Sequence, residues 1–281
     1  MASIKDKLLA IGAALAYPQV RLKPAITKEH FSGKWVLVTG ASHGIGRALT
    51  EKLIDADSNV FLIARSEADL QYLCDRAKQR GNRADYCAID LRDREKLEQL
   101  CQKLKDTLPQ LDYFFCNAGK SIHRKITDAL DRLHDYDRTI DLNFRVLVAL
   151  SLALLPALKM SKGSIIYSSS VSTRYPMAPG WSAYHASKSA ANTWCETADS
   201  EFAPLGVHVQ IAYLPLVHTA MSGVNEQYKH LPAYTPANAA NILLKLAIRK
   251  VRTYKPWWAK FSAPIAYLFA PIIHLYYKRL P

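Results

Sequence analysis

The chain has 281 residues, enough for one large α/β domain with a buried core or for two small domains. Apolar residues make up 49% and charged residues 22%, a globular composition that excludes disorder over most of the length. The net charge of +13 is unevenly placed: Glu226 is the last acidic residue, and nine Lys or Arg follow from Lys229 to the end.

Residues 1–33 read as an extension outside the core. Leu8 to Tyr17 is an apolar run with Lys5 and Lys7 in front and Arg21 and Lys23 behind, and Ala14-Leu15-Ala16 is similar to a signal-peptidase site. Asp6 interrupts the basic start and the run is short, so the expectation is an amphipathic helix that stays on the protein and touches a membrane surface, with a targeting segment as the alternative. From Lys34 short apolar runs alternate with helical stretches, the pattern of βαβ units around a parallel sheet. Expected strands are Trp35–Thr39, Val60–Ala64, Ala84–Ile89, Tyr113–Cys116, Ser164–Ser168 and Val207–Tyr213. Helical patterns fall near Ile45–Asp55, Glu67–Gln79, Arg94–Leu104, His134–Met160 and Tyr184–Phe202. No repeat or linker divides this core, which is taken as residues 34–256 with a substrate loop around 215–235. Cys74, Cys87, Cys101, Cys116 and Cys195 are scattered, without CxxC or Cys/His spacing. Free thiols in a reducing compartment and no metal are therefore expected.

The tail, residues 257–281, is both basic and apolar. Phe261–Tyr277 carries 17 residues without formal charge, short of the roughly 20 that a spanning helix needs, and Pro264, Pro271 and His274 interrupt it. Trp257, Trp258, Tyr276 and Tyr277 flank it with Lys260, Lys278 and Arg279, as interfacial segments do. Peripheral membrane contact is one reading; a cover over the substrate pocket or a subunit interface is the other. No helix-turn-helix, zinc-finger or RNA-binding pattern accompanies the charge, so no nucleic-acid partner is expected.

Thr39-Gly40-Ala41-Ser42-His43-Gly44-Ile45-Gly46 follows the first strand and opens a helix. Gly40 permits the tight turn, Gly44 lets backbone approach a pyrophosphate, and Gly46 lets the helix pack against the sheet, with helix amides and dipole turned to the phosphates. Ser42, His43 and Ile45 belong to the same loop. Arg65 and Ser66 end the second strand, 19 residues beyond Gly46 for Arg65. An acid there would bind the ribose hydroxyls of NAD, whereas an arginine suits a 2′-phosphate, so NADP(H) is the expected cofactor. That soluble cofactor places the enzyme in the cytoplasm, at most peripheral on a membrane's cytoplasmic face. Asp90-Leu91 after the third strand suits the adenine, and Asn117-Ala118-Gly119 after the fourth offers small residues where the cofactor passes.

Tyr184 and Lys188 stand four apart on one helix face. A free tyrosine has a pKa near 10; an adjacent ammonium would lower it towards the working range. Lys188 can also bond the nicotinamide ribose. Ser170, at the end of the fifth strand, can hold a carbonyl oxygen, with Ser169 the alternative by strand parity. Asn143 can keep a water in place that relays protons to Lys188.

In this order the motifs resemble the short-chain dehydrogenase/reductase family, over roughly Lys34 to Thr219. The resemblance implies an α/β single-domain, doubly wound Rossmann fold with a catalytic tetrad of Asn143, Ser170, Tyr184 and Lys188. It also implies cofactor contacts from Pro215, Val217 and Thr219 and the dimers or tetramers common in that family. Three departures mark the nicotinamide end: fourteen residues from Ser170 to Tyr184, one more than usual; Thr173 in place of a frequent glycine; and no glycine after Pro215.

Asn117–Arg124, Asp131–Asp135, Arg138-Thr139 and Leu214–Thr219 look like the bacterial short-chain-type fatty acyl-CoA reductases. That subgroup implies reduction of a long-chain acyl thioester to an aldehyde. A ketoreductase acting on a 3-oxoacyl, sphingoid or steroid-like ketone is the alternative, and a membrane-associated NADP(H)-binding regulator without turnover comes third.

Overall fold

The structure is a computed structural model that describes residues 12–223, 226–228 and 230–279. Seven parallel strands form one sheet in the order β3-β2-β1-β4-β5-β6-β7. They are β1 (Trp35–Thr39), β2 (Asn59–Ala64), β3 (Ala84–Ala88), β4 (Tyr113–Cys116), β5 (Ser164–Ser170), β6 (His208–Leu214) and β7 (Thr253–Tyr254). The order reverses between β1 and β4, and a crevice opens there at the carboxyl ends of the strands.

Each strand sends alternate residues to opposite faces, and both faces are covered, which is why β1, β2 and β4 are built mostly of apolar residues. Val36, Val38, Val60, Leu62, Phe115 and Ile166 enter one core beside α2 (Gly44–Asp55), α3 (Glu67–Gln79) and α8 (Pro236–Arg249). Leu37, Phe61, Ile63, Phe114, Ile165 and Tyr167 enter the other, under α4 (Arg94–Thr107), α6 (Val146–Ser161) and α7 (Ser182–Phe202).

The expected helix over His134–Met160 is two helices, α5 (Leu133–Ile140) and α6, joined by a π turn at Asp141–Arg145. By length and composition Leu133–Ser161 is apolar enough to cross a membrane, but Val146, Leu147, Leu150, Leu154 and Leu158 sit in the second core. It is the central helix of that layer.

Two elements of the core went unread in the sequence. α8 starts from Thr235, whose side chain accepts from Asn238 N, with Pro236 in the first turn, a capping signal visible in the sequence. β7 has two residues, too few for a periodicity.

The N-terminal extension is less separate than expected. Residues 1–11 lie outside the described residues; 12–16 are helical, and α1 (Pro24–Phe31) follows after an extended stretch. Phe31 is fully buried against Tyr113, Tyr17, Val20 and Leu22 pack on the first core, and Asn241 Nδ2 donates to Val20 O at 2.7 Å. The tail forms α9 (Trp257–Leu268) and α10 (Ala270–Tyr277), broken at Phe269 rather than continuous.

Asp112 ties the entry of the sheet together. Its buried carboxylate accepts from Trp35 N at 2.9 Å and pairs with Lys34 Nζ at 3.1 Å. Asp112→Ala is expected to lower stability by about 1–3 kcal/mol in chemical denaturation, because the Trp35 N–H loses its partner. Asp112→Asn should recover most of that loss; equal losses would show that the ion pair, not the amide acceptor, carries the effect.

Candidate active site

The site is assembled where β1, β4 and β5 end. Thr39 Oγ1 accepts from both Asn117 N and Ala118 N at 3.0 Å, locking the glycine loop to the strand across the switch point. Gly40 has φ +69° and Gly44 has φ +55°, backbone that side chains adopt at a cost. A Cβ at Gly46 would stand 2.0 Å from Gly40 O, so no larger residue fits while α2 keeps its angle to the sheet. α2 begins at His43 with no side-chain cap and no acid in its first turn, leaving its amides free for an anion. These features fit a dinucleotide pyrophosphate. Ile45 packs partly against the first core.

The adenosine end is polar. Arg65 is exposed at the end of β2, followed by Ser66, whose Oγ donates to Asp69 at 2.5 Å. Ser42 Oγ lies 2.9 Å from His43 Nδ1, and Arg47 reaches the same Asp69 at 3.1 Å. Arg47 was not singled out in the sequence, although it follows Gly46 directly. Asp90 is engaged by Arg92 in a two-pronged pair (3.0 and 2.5 Å) that holds its pKa down at about 2. Leu91, expected at the cofactor, buries its side chain in the second core.

The tetrad residues converge. Tyr184, half-buried on α7, has its hydroxyl hydrogen-bonded to Ser170. Strand parity separates the serines: Ser170 Oγ also lies 2.8 Å from Ser172 Oγ, whereas Ser169 Oγ is buried and donates to Asn192 Oδ1 at 2.6 Å. Lys188 is buried; its Nζ donates to Ser168 O at 2.8 Å and lies 4.6 Å from the Tyr167 ring centroid. A Cβ on Gly119 would come within 3.1 Å of Asn143 Oδ1, a tight approach that favours glycine after Asn117-Ala118.

Asn143 sits in the π turn, whose extra residue aims the side chain inward. Its Oδ1 accepts from Lys120 N at 2.8 Å, and its Nδ2 donates to Lys120 O and Ser187 Oγ, both at 2.9 Å. Both amide protons are used, so the side chain works as a clamp between the β4 loop and α7. No amide proton of Asn143 is left over for the water expected there.

The electrostatics differ from the expected lysine-lowered phenol. Burial pushes the Tyr184 pKa up, the Ser170 hydrogen bond pulls it down, and nearby Tyr228 pushes it up again. Burial drops Lys188 from the usual 10.5 to about 8. The dominant effect at both groups is loss of water, not attraction between them.

The departures in the loops have structural counterparts. Val171–Arg174 forms a 3₁₀ turn in the segment between Ser170 and Tyr184, and Thr173 Oγ1 donates to Ser170 O at 2.8 Å while accepting from Asn192 Nδ2. After buried Pro215, Val217 bridges to Tyr234, and Tyr234 N donates to Leu216 O at 2.9 Å. Thr219 thereby comes to the edge of the glycine loop, its Cγ2 3.2 Å from where a Gly44 Cβ would be. An open cleft of about 420 Å³ lies beside it, lined by His218, Thr219, Ala220, Ser222, Gly223 and Tyr228.

A family model described as short chain dehydrogenase matches residues 34–229. The chain belongs to the short-chain dehydrogenase family. It is therefore a nicotinamide-dinucleotide-dependent oxidoreductase. Among relatives, a fatty acyl-CoA reductase of Acinetobacter baylyi is 32% identical over 251 residues, covering 89% of this chain and 84% of that one. A fatty acyl-CoA reductase of Mycobacterium tuberculosis is 33% identical over 232 residues, covering 82% and 79%. In fold, the chain is similar to a short-chain dehydrogenase from Sphingobium yanoikuyae in complex with NADPH: TM-score 0.74, 23% identity, covering 88% and 96%.

Within this family member, sequence reasoning missed an aromatic wall. Trp181 stacks on His123 (4.5 Å) and on Tyr228 (5.9 Å), with its edge towards Tyr184 at 6.0 Å. No short-range pattern announces it, because its three members come from three separate loops.

The buried lysine makes a stability prediction. Its folded pKa of about 8 lies below the unfolded value, so between about pH 8 and 10.5 the folded state binds fewer protons and stability rises with pH. Below that window the buried charge costs at most about 3 kcal/mol. Lys188→Met is expected to raise Tm at pH 7 and to lose its advantage as pH approaches 10.5. A lower Tm at pH 7 would mean that the Ser168 bond and Tyr167 ring outweigh the burial.

Proposed function

We propose that this chain uses NADPH to reduce the thioester carbonyl of a long-chain acyl-CoA to the aldehyde, releasing free CoA. The observation that carries the substrate class is the match, over more than four-fifths of the chain, to two relatives named fatty acyl-CoA reductases. The aromatic wall of Trp181, Tyr228 and His123 beside Tyr184 agrees with a lipophilic substrate.

The amides at the start of α2 would hold the pyrophosphate, and Arg65 with Ser66 the 2′-phosphate. Arg47 and His43 flank that corner. Lys188 and Tyr184 would hold the nicotinamide ribose. Bound there, the cofactor supplies a hydride to the carbonyl carbon. Ser170 Oγ orients the carbonyl oxygen by a hydrogen bond. Tyr184 gives that oxygen its proton; a phenol raised by burial is protonated at neutral pH, as an acid working in the reducing direction must be. Lys188, with a pKa of about 8, is the adjacent group able to resupply the proton. The hemithioacetal then expels the CoA thiol.

Purified protein given NADPH and palmitoyl-CoA should release aldehyde and titratable thiol, and Tyr184→Phe should slow this by about 10²–10⁴-fold. Secondary alcohol from a ketone panel without thiol release would move the substrate class to ketones. NADPH oxidation unchanged in Tyr184→Phe would remove the tyrosine from the chemistry.

Arg65→Asp should raise the ratio of NADH to NADPH use by about tenfold to a hundredfold in steady-state kinetics. An unchanged ratio would place recognition of the 2′-phosphate elsewhere.

A further inference from the structure

α9 and α10 present an apolar face that is left uncovered among the described residues. Trp257, Phe261, Ile265 and Leu268 recur along one side of α9, and Ile272 and Leu275 continue it on α10; all six are more than half exposed. The opposite side of α9, at Ala259 and Ala263, is buried against the protein. An exposed stripe of this extent on a soluble surface marks a contact site.

The charges around it are of one sign. Lys260, Lys278 and Arg279 border the stripe, none of them in an ion pair among the described residues, and no Asp or Glu occurs after Glu226. A second copy docking by its own equivalent face would bring two such cationic borders together without an acid to meet them, which disfavours a symmetric interface. At about 18 Å and 12 Å the two helices are each too short to cross a hydrocarbon core of about 30 Å. Apolar and aromatic side chains within a cationic rim on short surface helices match the interfacial region of an anionic bilayer.

The helices are also fastened to the catalytic loop. Ser262 Oγ lies 2.6 Å from the Tyr175 hydroxyl, and the Tyr267 hydroxyl donates to Tyr175 O at 3.4 Å. Tyr175 stands between Ser170 and Tyr184. On the other side, Trp257 Nε1 donates to Leu15 O at 2.8 Å and Trp258 Nε1 to Ala16 O at 2.9 Å, so the exposed Leu15 joins the same surface.

We propose that α9, α10 and the helical turn at residues 12–16 form one docking surface for a bilayer containing anionic phospholipid, seating the loop between Ser170 and Tyr184 next to the membrane. The docking does not depend on which carbonyl compound is reduced. Lipophilic substrates would then reach the cleft from the bilayer side.

The test is flotation of the full-length protein with phosphatidylcholine vesicles, with and without phosphatidylglycerol. The wild type should float with the phosphatidylglycerol vesicles and be released by high salt. Phe261→Glu combined with Leu268→Glu, both exposed positions, should cut partitioning by about tenfold or more while leaving circular dichroism and NADPH binding unchanged. Lys260→Glu with Lys278→Glu should abolish the preference for phosphatidylglycerol. A wild type that stays with the soluble fraction, or a double glutamate variant that floats equally well, would overturn the proposal. So would a wild-type dimer that the glutamate variant converts to monomer in gel filtration without any vesicle binding. None of these readouts uses substrate turnover, so they are separable from failure of the acyl-CoA assay.

Discussion

The site depends on an ammonium group kept out of water. Lys188 is seated with a single backbone acceptor, Ser168 O, and the face of Tyr167, in a setting that drops its pKa to about 8. Much of the surrounding architecture can be understood as what makes that burial tolerable. Gly119 leaves room for the Asn143 side chain, and the Tyr167 hydroxyl donates to Asn143 O. The Asn143 side chain fastens the Lys120 backbone to Ser187, one residue before the lysine. A buried charge of this kind is poor for stability and useful for chemistry, because small changes in its surroundings move its proton near neutral pH.

The same dryness sets the state of the tyrosine. Burial disfavours the phenolate, and Ser170 hydrogen-bonds the hydroxyl. Ser170 is in turn held by Ser172, whose hydroxyl lies 3.0 Å from Nε2 of His185, and burial lowers the pKa of that histidine. These hydroxyls thus rest on a network whose members come from β5, the following turn and α7. That turn continues to Tyr175, which joins it to the tail helices. A disturbance at the C-terminal surface therefore has a short covalent and hydrogen-bonded path to Ser170.

Much of this was legible in the chain. Strand limits at Trp35–Thr39 and Tyr113–Cys116, the helix at Glu67–Gln79 and the seating of Gly46 follow from local patterns that tertiary contacts did not override. What was misread has identifiable causes. The π turn around Asn143 interrupts a helix whose apolar periodicity runs on without a break, and one inserted residue leaves no compositional mark. Residues 17–33 looked detached because their anchors, Phe31 and Val20, are single apolar residues in a polar stretch. The burial of the Leu91 side chain went unread because the residue was grouped with Asp90 by adjacency.

Sequence by itself determined the sheet, the glycine loop and the spacing of Tyr184 from Lys188. Those features rest on periodicity and on steric limits that act within a few residues. The tertiary structure decided which serine meets the tyrosine, how far water is excluded from the lysine, and which aromatic rings wall the cleft. It also brought residues 12–16 against the first tail helix. Burial and proximity between distant segments are properties of packing, and an amino acid carries no local sign of the solvent it will lose when the chain closes around it.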